Sequence, residues 1–219
     1  MRRLTLTFDN GPSADTTPLV LDELARRELS AYFCVVGRQI AKPGGVDLVR
    51  RASSEGHIIV NHSMTHSEPL GLTTDPDHVA VEIEQTARLL EECGVTSEPP
   101  LFRPFGLGGQ LGPHLLSIDA STHLSDHGYT LLLWNSVPRD WEDIDTWPRQ
   151  ALADVHEHQH TVLVLHDLGT GAMAHLADFL DQVDEAGVEV TLDLPESCVP
   201  MRAGVGAPAL RDYVSALPG

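Results

Sequence analysis

Side chains that can transfer protons or bind metal ions recur at the ends of short apolar segments in this sequence. Each of these segments has the length and composition of a buried strand. In parallel α/β folds the carboxyl ends of the strands share one edge of the sheet, where functional groups gather. A single polar residue at such an end is usually a cap, but several together predict a site. The five groups are Asp9-Asn10, residues 61–66, Arg103, Asp140-Trp141 and His166-Asp167.

His62 and His66 are four residues apart within the second group. On a helical turn this spacing would place both imidazoles on one face, where they could bind the same divalent ion. The pattern alone is weak, because packed or surface histidines show it as well. We interpret His156, His158 and His160 as solvated surface, since alternate spacing at the end of an acidic helix scatters their rings.

Asp9 and His166 each allow two interpretations. A carboxylate that ends a buried strand is often a structural cap, but close to a cation and an arginine it could serve as a general base. His166 ends a very apolar strand. It could be a core histidine bonded to Asp167, or a general acid whose pKa is tuned by a carboxylate.

The elements that position these groups alternate between strand and helix. Such alternation, repeated about seven times, predicts parallel strands with helical crossovers, closed as a barrel or left open. Neither a GxGxxG after the first strand nor a phosphate-binding P-loop is present, which disfavours nucleotide binding. The predicted strands are 4–8, 31–36, 57–60, 101–103, 129–134, 161–165 and 188–192, and Thr17-Pro18, Asp75-Pro76 and Thr146 are predicted to start helices.

Composition excludes several classes of partner. The 219 residues include 14 Lys+Arg and 32 Asp+Glu, a formal net charge of −18, which argues against nucleic acid and anionic membrane surfaces as partners. The three cysteines form neither a disulfide framework nor a CxxC pair, which favours a reducing compartment. No signal peptide or membrane-spanning segment is seen, so we expect a cytoplasmic protein, although a trimmed secreted chain would look the same.

Taken in order, the five groups resemble the motifs of the polysaccharide deacetylases, carbohydrate esterase family four. The matching segments are TFDNGP at 7–12, HSMTH at 62–66, RPFG at 103–106, RDW at 139–141 and LVLHD at 163–167. The resemblance runs from residue 4 to about residue 192. It implies an α/β fold, a single distorted (β/α) barrel with about seven parallel strands, over 1–194. The tail, 195–219, carries Leu210, Tyr213, Val214 and Leu217 at helical spacing, which predicts a short docking helix.

The resemblance also implies an activity, namely metal-dependent hydrolysis of acetyl groups on a sugar or oligosaccharide, with N-acetyl favoured over O-acetyl. Zinc is the first expectation for the divalent metal, with cobalt, nickel and manganese as alternatives. The resemblance implies that Asp9 is the general base, oriented by Arg103, and that His166 is the general acid, tuned by Asp140. It implies three metal ligands, namely His62, His66 and Asn10. Around the substrate, it implies the backbone N–H of Phe105 in the oxyanion hole, Leu165 lining the acetyl pocket and Trp141 beside the substrate.

Three departures from the family pattern leave alternatives open. Asn10 stands where the family has a metal-binding Asp, Arg103-Pro104-Phe105 is a residue short with Phe for Tyr, and Val137 replaces an expected Asp. A sugar-binding member without full catalysis, or a hydrolase of a non-sugar amide on the same barrel, would fit as well. The low aromatic content, 5%, favours a short or soluble substrate over an insoluble polymer. The sugar and the oligomeric state are not predicted.

Overall fold

The computed structural model describes residues 1–73, 75 and 77–215. The strands are β1 (Arg3–Asp9), β2 (Tyr32–Val35), β3 (Ile58–Asn61), β4 (Leu101–Phe102), β5 (Thr130–Leu131), β6 (His160–His166), β7 (Glu189–Val190), β8 (Met201–Arg202) and β9 (Val205–Gly206). The α-helices are α1 (Thr17–Arg26), α2 (Gly37–Ile40), α3 (Gly45–Ser54), α4 (Gln85–Glu92), α5 (Ile118–Asp126), α6 (Trp147–Glu157) and α7 (Leu176–Glu185), and a π-helix (Ala80–Glu84) precedes α4.

One sheet contains these strands in the order β6-β1-β2-β3-β4-β5-β8-β9, and β7 pairs with the first residues of β1. Strands β1 to β7 are parallel, as strand–helix alternation predicted, whereas β8 and β9 form an antiparallel pair that joins β5. A parallel bridge between Ser136 and Leu163 brings the segment after β5 against β6. Within the described residues, the sheet is therefore a distorted barrel with seven parallel strands, which confirms the predicted fold class.

The side chains of β1 alternate between an apolar outer layer and the polar interior of the barrel. Leu4, Leu6 and Phe8 pack outward in the cluster shared with the surrounding helices, and all three are fully buried. The intervening residues, Thr7 and Asp9, face the barrel interior, because successive side chains of a strand point to opposite faces. The predicted base therefore ends its strand on the inner side of the barrel.

The structure revises several local predictions. Helix α1 begins at Thr17 rather than Pro18, and neither Thr16 before it nor Thr146 before α6 makes a side-chain capping hydrogen bond. Pro76 lies outside the described residues, and the helical region that follows it is α-helical at His78 and Val79 before it becomes the π-helix. His160 is not solvated surface: it opens β6, is buried, and its Nε2 lies 2.9 Å from Thr5 Oγ1.

In the tail, a short 3₁₀-helix spans Pro208–Tyr213. A second hydrophobic cluster, the inner cluster, contains Cys34, Val60 and Val162 of the sheet. Leu210, Tyr213 and Val214 pack against it, and Leu217 lies outside the described residues. Among the helices that the structure describes, none is long and apolar enough to cross a bilayer.

Candidate active site

Seven of the ten predicted site residues line one cavity of about 350 Å³, and Arg103, Asp140 and Leu165 lie outside it. The cavity lies where β1, β3, β4 and β6 end, so the polar residues at the strand ends share a single space, as the sequence predicted. Asp9 and His166 are register partners in the neighbouring strands β1 and β6. The side chains that line the cavity belong to Asp9, Asn10, His62, His66, Phe105, Trp134, Val137, Trp141, Val164, His166 and Leu168.

Asp9 is paired with a completely buried guanidinium. Arg103 Nη1 donates hydrogen bonds to Asp9 Oδ1 at 3.0 Å and to Thr7 Oγ1 at 2.8 Å, and Arg103 has no exposed surface. Burial alone would raise the pKa of Asp9, but the positive charge of Arg103 outweighs it and holds this pKa below its usual value. Asp9 is therefore a carboxylate at neutral pH, able to accept a proton.

His62 has a fixed tautomer. Its Nδ1 lies 2.8 Å from the carbonyl oxygen of Arg103, and because a carbonyl only accepts, Nδ1 carries the proton. Its Nε2 is thus unprotonated and lies 3.6 Å from Asp9 Oδ2. The ring of His66 is 4.7 Å from that of His62, measured between centroids. Burial lowers the pKa of His62 and lowers that of His66 to about 3, so both rings are neutral.

The segment that carries these two histidines is an irregular loop, which corrects the predicted helical turn. Ser63 and His66 have φ angles of 68° and 51°, in the left-handed region, so the backbone cannot be α-helical there. The Ser63 hydroxyl accepts the N–H of His66 at 3.1 Å. Tertiary contacts, rather than a four-residue helical period, bring the imidazoles together.

The donors in the cavity fit a divalent metal. Asn10 lines the same cavity, and its Oδ1 is buried without a hydrogen-bond partner among the described residues. An unsatisfied buried oxygen beside two neutral imidazoles is a nitrogen and oxygen donor set of the kind that zinc and similar ions accept. Over the described ranges, no three His, Cys, Asp or Glu side chains are arranged to hold a metal, and Asn10 offers a further oxygen donor in the same cavity.

His166 is bound by Asp140 through both carboxylate oxygens. Asp140 Oδ1 lies 2.8 Å from His166 Nδ1, and Oδ2 accepts the backbone N–H of His166 at 2.9 Å. Burial would lower the pKa of His166, but the hydrogen bond and charge of Asp140 raise it above its ordinary value. Asp167 is not the partner: it accepts the Thr17 hydroxyl, and burial raises its pKa to about 7.

The walls of the cavity are apolar and aromatic. The ring of Phe105 lies 3.9 Å from that of His66, and the ring of Trp141 meets His166 edge-on at 4.8 Å. Among the described residues no acceptor binds the N–H of Phe105. Trp134 closes the side next to the glycine-rich loop at 106–109, where a Cβ on Gly106 would lie 2.4 Å from its ring. Trp147, by contrast, is core.

Leu165 does not line the cavity, contrary to the prediction. It is fully buried in the outer cluster between sheet and helices. Val164 shares the inner face with His166, because residues two apart on a strand point the same way, and it lines the cavity together with Leu168. The sequence carries a signal for Val164: it lies two residues before His166 on the same strand, so both side chains face the cavity.

A model of the polysaccharide deacetylase family matches residues 1–111 of this chain. The chain belongs to that family. A relative, the chitooligosaccharide deacetylase of Bradyrhizobium sp. (strain ANU 289), is 31% identical over 169 residues, which cover 76% of this deacetylase and 71% of the relative. Family membership confirms the resemblance drawn from the five motifs and makes the chain a hydrolase of the carbohydrate deacetylase class.

Solved structures share the fold of this deacetylase. The family 4 carbohydrate esterase from Streptomyces lividans, in complex with acetate, has a TM-score of 0.71 and 23% identity, over 92% of this chain and 98% of its own. A polysaccharide deacetylase from Bacillus cereus has a TM-score of 0.71 and 25% identity, over 92% and 97% of the two chains. Both similarities support the distorted barrel described above.

Proposed function

We propose that this deacetylase hydrolyses the N-acetyl group of an amino sugar, with Asp9 as general base and His166 as general acid. The observation that carries the proposal is that two groups in one cavity have pKa values shifted in opposite directions, with that of Asp9 lowered and that of His166 raised. Arg103 favours the ionised carboxylate of Asp9, whereas Asp140 favours the protonated imidazole of His166. Two titratable groups driven to opposite protonation roles are typical of acid–base catalysis.

His62, His66 and Asn10 would hold a divalent metal, zinc first, with cobalt, nickel or manganese as alternatives. The unprotonated Nε2 of His62 and the unpartnered Oδ1 of Asn10 support this assignment. When bound, such an ion supplies Lewis acidity to the acetyl carbonyl and makes water more acidic. Asn10 contributes no charge, so we expect weaker metal binding than an aspartate in the same place would give.

The chain's own residues then divide the proton transfers. Asp9 accepts a proton from the attacking water, and its bond to Arg103 fixes the direction of the carboxylate. The free N–H of Phe105 donates to the oxygen that becomes negative as water attacks the acetyl carbon. His166, whose Nδ1 is occupied by Asp140, donates from Nε2 to the departing amine. The products are acetate and the free amino sugar.

The proposed substrate is a short oligosaccharide that contains N-acetylglucosamine. The Bradyrhizobium relative is named for chitooligosaccharide deacetylation, and the cavity of about 350 Å³ has the aromatic walls, Phe105, Trp134 and Trp141, that suit a sugar with its acetamido group. A small cavity with few rings favours a soluble chain over an insoluble polymer.

The test is acetate release from chitin oligosaccharides by the chain loaded with zinc, compared with the chelated chain. We expect metal-dependent release, and Asp9→Asn should reduce it to background without unfolding the protein. Persistent release from folded Asp9→Asn would contradict the role of Asp9. Asn10 is uncharged, and among the described residues its Oδ1 has no hydrogen-bond partner. This favours a second candidate, a sugar-binding member with weakened catalysis, which binding of the oligosaccharide without acetate release would support.

A further inference from the structure

The loop at 62–66 that carries both histidines is held by its backbone from two directions. On one side, the N–H groups of Gly37 and Arg38, at the start of α2, donate to the carbonyls of Ser63 and Met64, both at 2.9 Å. The amides of the loop need acceptors as well, because two of its residues, Ser63 and His66, have left-handed φ angles that exclude helical hydrogen bonding.

Those acceptors come from one buried carboxylate. Glu82 Oε2 accepts the N–H of Met64 at 3.0 Å and of Thr65 at 2.9 Å, and Oε1 accepts the Thr65 hydroxyl at 2.6 Å. Glu82 is 3% exposed, and it is one of two buried residues of the π-helix, with Ile83. Each oxygen of this carboxylate is therefore committed to the histidine loop.

Glu82 needs these hydrogen bonds because its carboxylate is buried. A buried carboxylate costs several kcal/mol unless it is paired or hydrogen-bonded. Within the residues that the structure describes, no Lys or Arg forms an ion pair with Glu82. Among the described residues, its charge is stabilised by the three loop donors, and charge-assisted bonds of this kind are about twice as strong as neutral ones. The loop and the carboxylate consequently hold each other in place.

Glu82 lies in the π-helix, and a second contact fixes that helix to the loop. Asn61 Nδ2 donates to the carbonyl of Ile83 at 2.9 Å, while Asn61 Oδ1 accepts the N–H of Ser63 at 3.1 Å. π-helices are rare, and those that exist are often found at functional sites. Here the π-helix presents its one buried acid to the loop that carries His62 and His66.

We propose that Glu82 is a positioning residue for the metal site, whose carboxylate fixes the 62–66 loop so that His62 and His66 face one ion. This inference rests on the proposed function, because it takes these histidines to be ligands. It adds a residue outside the five motifs, one that touches neither the cavity nor the histidine rings. Outer partners that orient ligands typically change metal affinity by about 10–100-fold when removed.

The experiment measures Co²⁺ affinity and the visible Co²⁺ spectrum of the metal-free full chain, with Co²⁺ alone as the probe. Glu82→Ala removes the carboxylate, and Glu82→Asp keeps the charge but shortens its reach. Both should weaken Co²⁺ binding by about 10–100-fold and change the spectrum. Glu82→Gln should retain most of the affinity, since its amide oxygen can accept both backbone N–H groups and its NH₂ can donate to Thr65 Oγ1. Glu84→Ala is the matched control, because Glu84 pairs with Arg88 at the surface and should leave both readouts unchanged.

Wild-type affinity and spectrum in folded Glu82→Asp would overturn the proposal, and this variant decides the question if Glu82→Ala fails to fold. A loss of stability in Glu82→Asp with unaltered Co²⁺ binding would likewise overturn it, since a purely structural role predicts that result. The two proposals separate cleanly. Glu82-dependent Co²⁺ binding without acetate release would refute the proposed reaction only, whereas acetate release with Co²⁺ binding indifferent to Glu82 would refute the positioning role only.

Discussion

Asp140 binds His166 at two points, the ring Nδ1 at 2.8 Å and the backbone N–H at 2.9 Å. One carboxylate thus fixes both the tautomer of the imidazole and the direction in which its Nε2 points. Its charge also raises the pKa of His166 against the opposing effect of burial. A histidine acid needs all three properties, and here a single residue provides them.

Asp140→Asn should therefore lower kcat by about 100-fold or more. It should also move the alkaline limb of the pH profile to lower pH. His166 must be protonated to act as an acid, activity falls as the pH rises through its pKa, and loss of the Asp140 charge lowers that pKa. The measurement is kcat against pH, with Asp143→Asn, at an exposed site nearby, as the matched control. An unchanged alkaline limb would remove His166 from the acid role.

The amide at Asn10 should limit metal affinity. Asn10→Asp adds a negative charge next to two neutral imidazoles, so zinc should bind at least about tenfold more tightly, a gain of about 1.4 kcal/mol. Asn10→Ala, which removes the oxygen, should bind zinc more weakly than the wild type. Calorimetric titration of the metal-free chain measures both. Equal affinity in all three proteins would show that Asn10 is not a ligand.

Val164 and Leu165 offer a matched pair of adjacent, buried positions. Leu165→Ala should reduce the free energy of unfolding by about 2–5 kcal/mol, because it leaves a cavity in the outer core, and should leave KM unchanged. Val164→Phe should raise KM or abolish binding, since its side chain enters the cavity. Urea unfolding and steady-state kinetics on both variants distinguish the two faces of β6. The opposite pattern would restore Leu165 to the acetyl pocket.

Asp167 should make stability depend on pH. Its pKa is raised from 3.8 to about 7, so the folded state holds the proton more tightly than the unfolded state. This stabilisation is complete below the unfolded pKa and is lost as the pH rises through about 7. Asp167→Asn, which is neutral at every pH, should therefore gain stability over the wild type as the pH rises, by on the order of 2 kcal/mol between about pH 5 and about pH 7.5. Urea unfolding at both pH values tests this; a constant difference would mean that Asp167 titrates normally.

Much of the barrel and the place of the site follow from local sequence. The alternation of apolar strands and amphipathic helices predicts the parallel sheet, and the polar residues after strand ends, such as Asp9 and His166, predict where the site lies. The prediction of the sheet rests on the alternation of inward and outward side chains, which short segments of chain determine. The prediction of the site rests on the common direction of parallel strands, whose carboxyl ends meet at one edge.

Other features depend on contacts between distant segments, which local sequence does not specify. The left-handed φ angles of Ser63 and His66 are held by Gly37, Arg38 and Glu82, so a four-residue spacing suggested a helical turn that does not form. The predicted strand at 129–134 is only two residues long as β5. The N–H of Leu132 still donates to Phe102 of β4, but the N–H of Leu133 donates to the carbonyl of Cys198 in the tail. The antiparallel pair β8–β9 likewise lies in a tail with no strand-like period.

The pairing of Asp9 with His166 in β1 and β6 has a practical consequence. The backbones of the proposed base and the proposed acid are held apart by the spacing of two hydrogen-bonded strands, about 4.8 Å. The glycine-rich segment at 106–109 and the residues around Trp141 sit on loops instead, which tolerate exchange and insertion. Redesign of these loops could therefore retarget the enzyme to other acylated amines while its reaction chemistry stays intact.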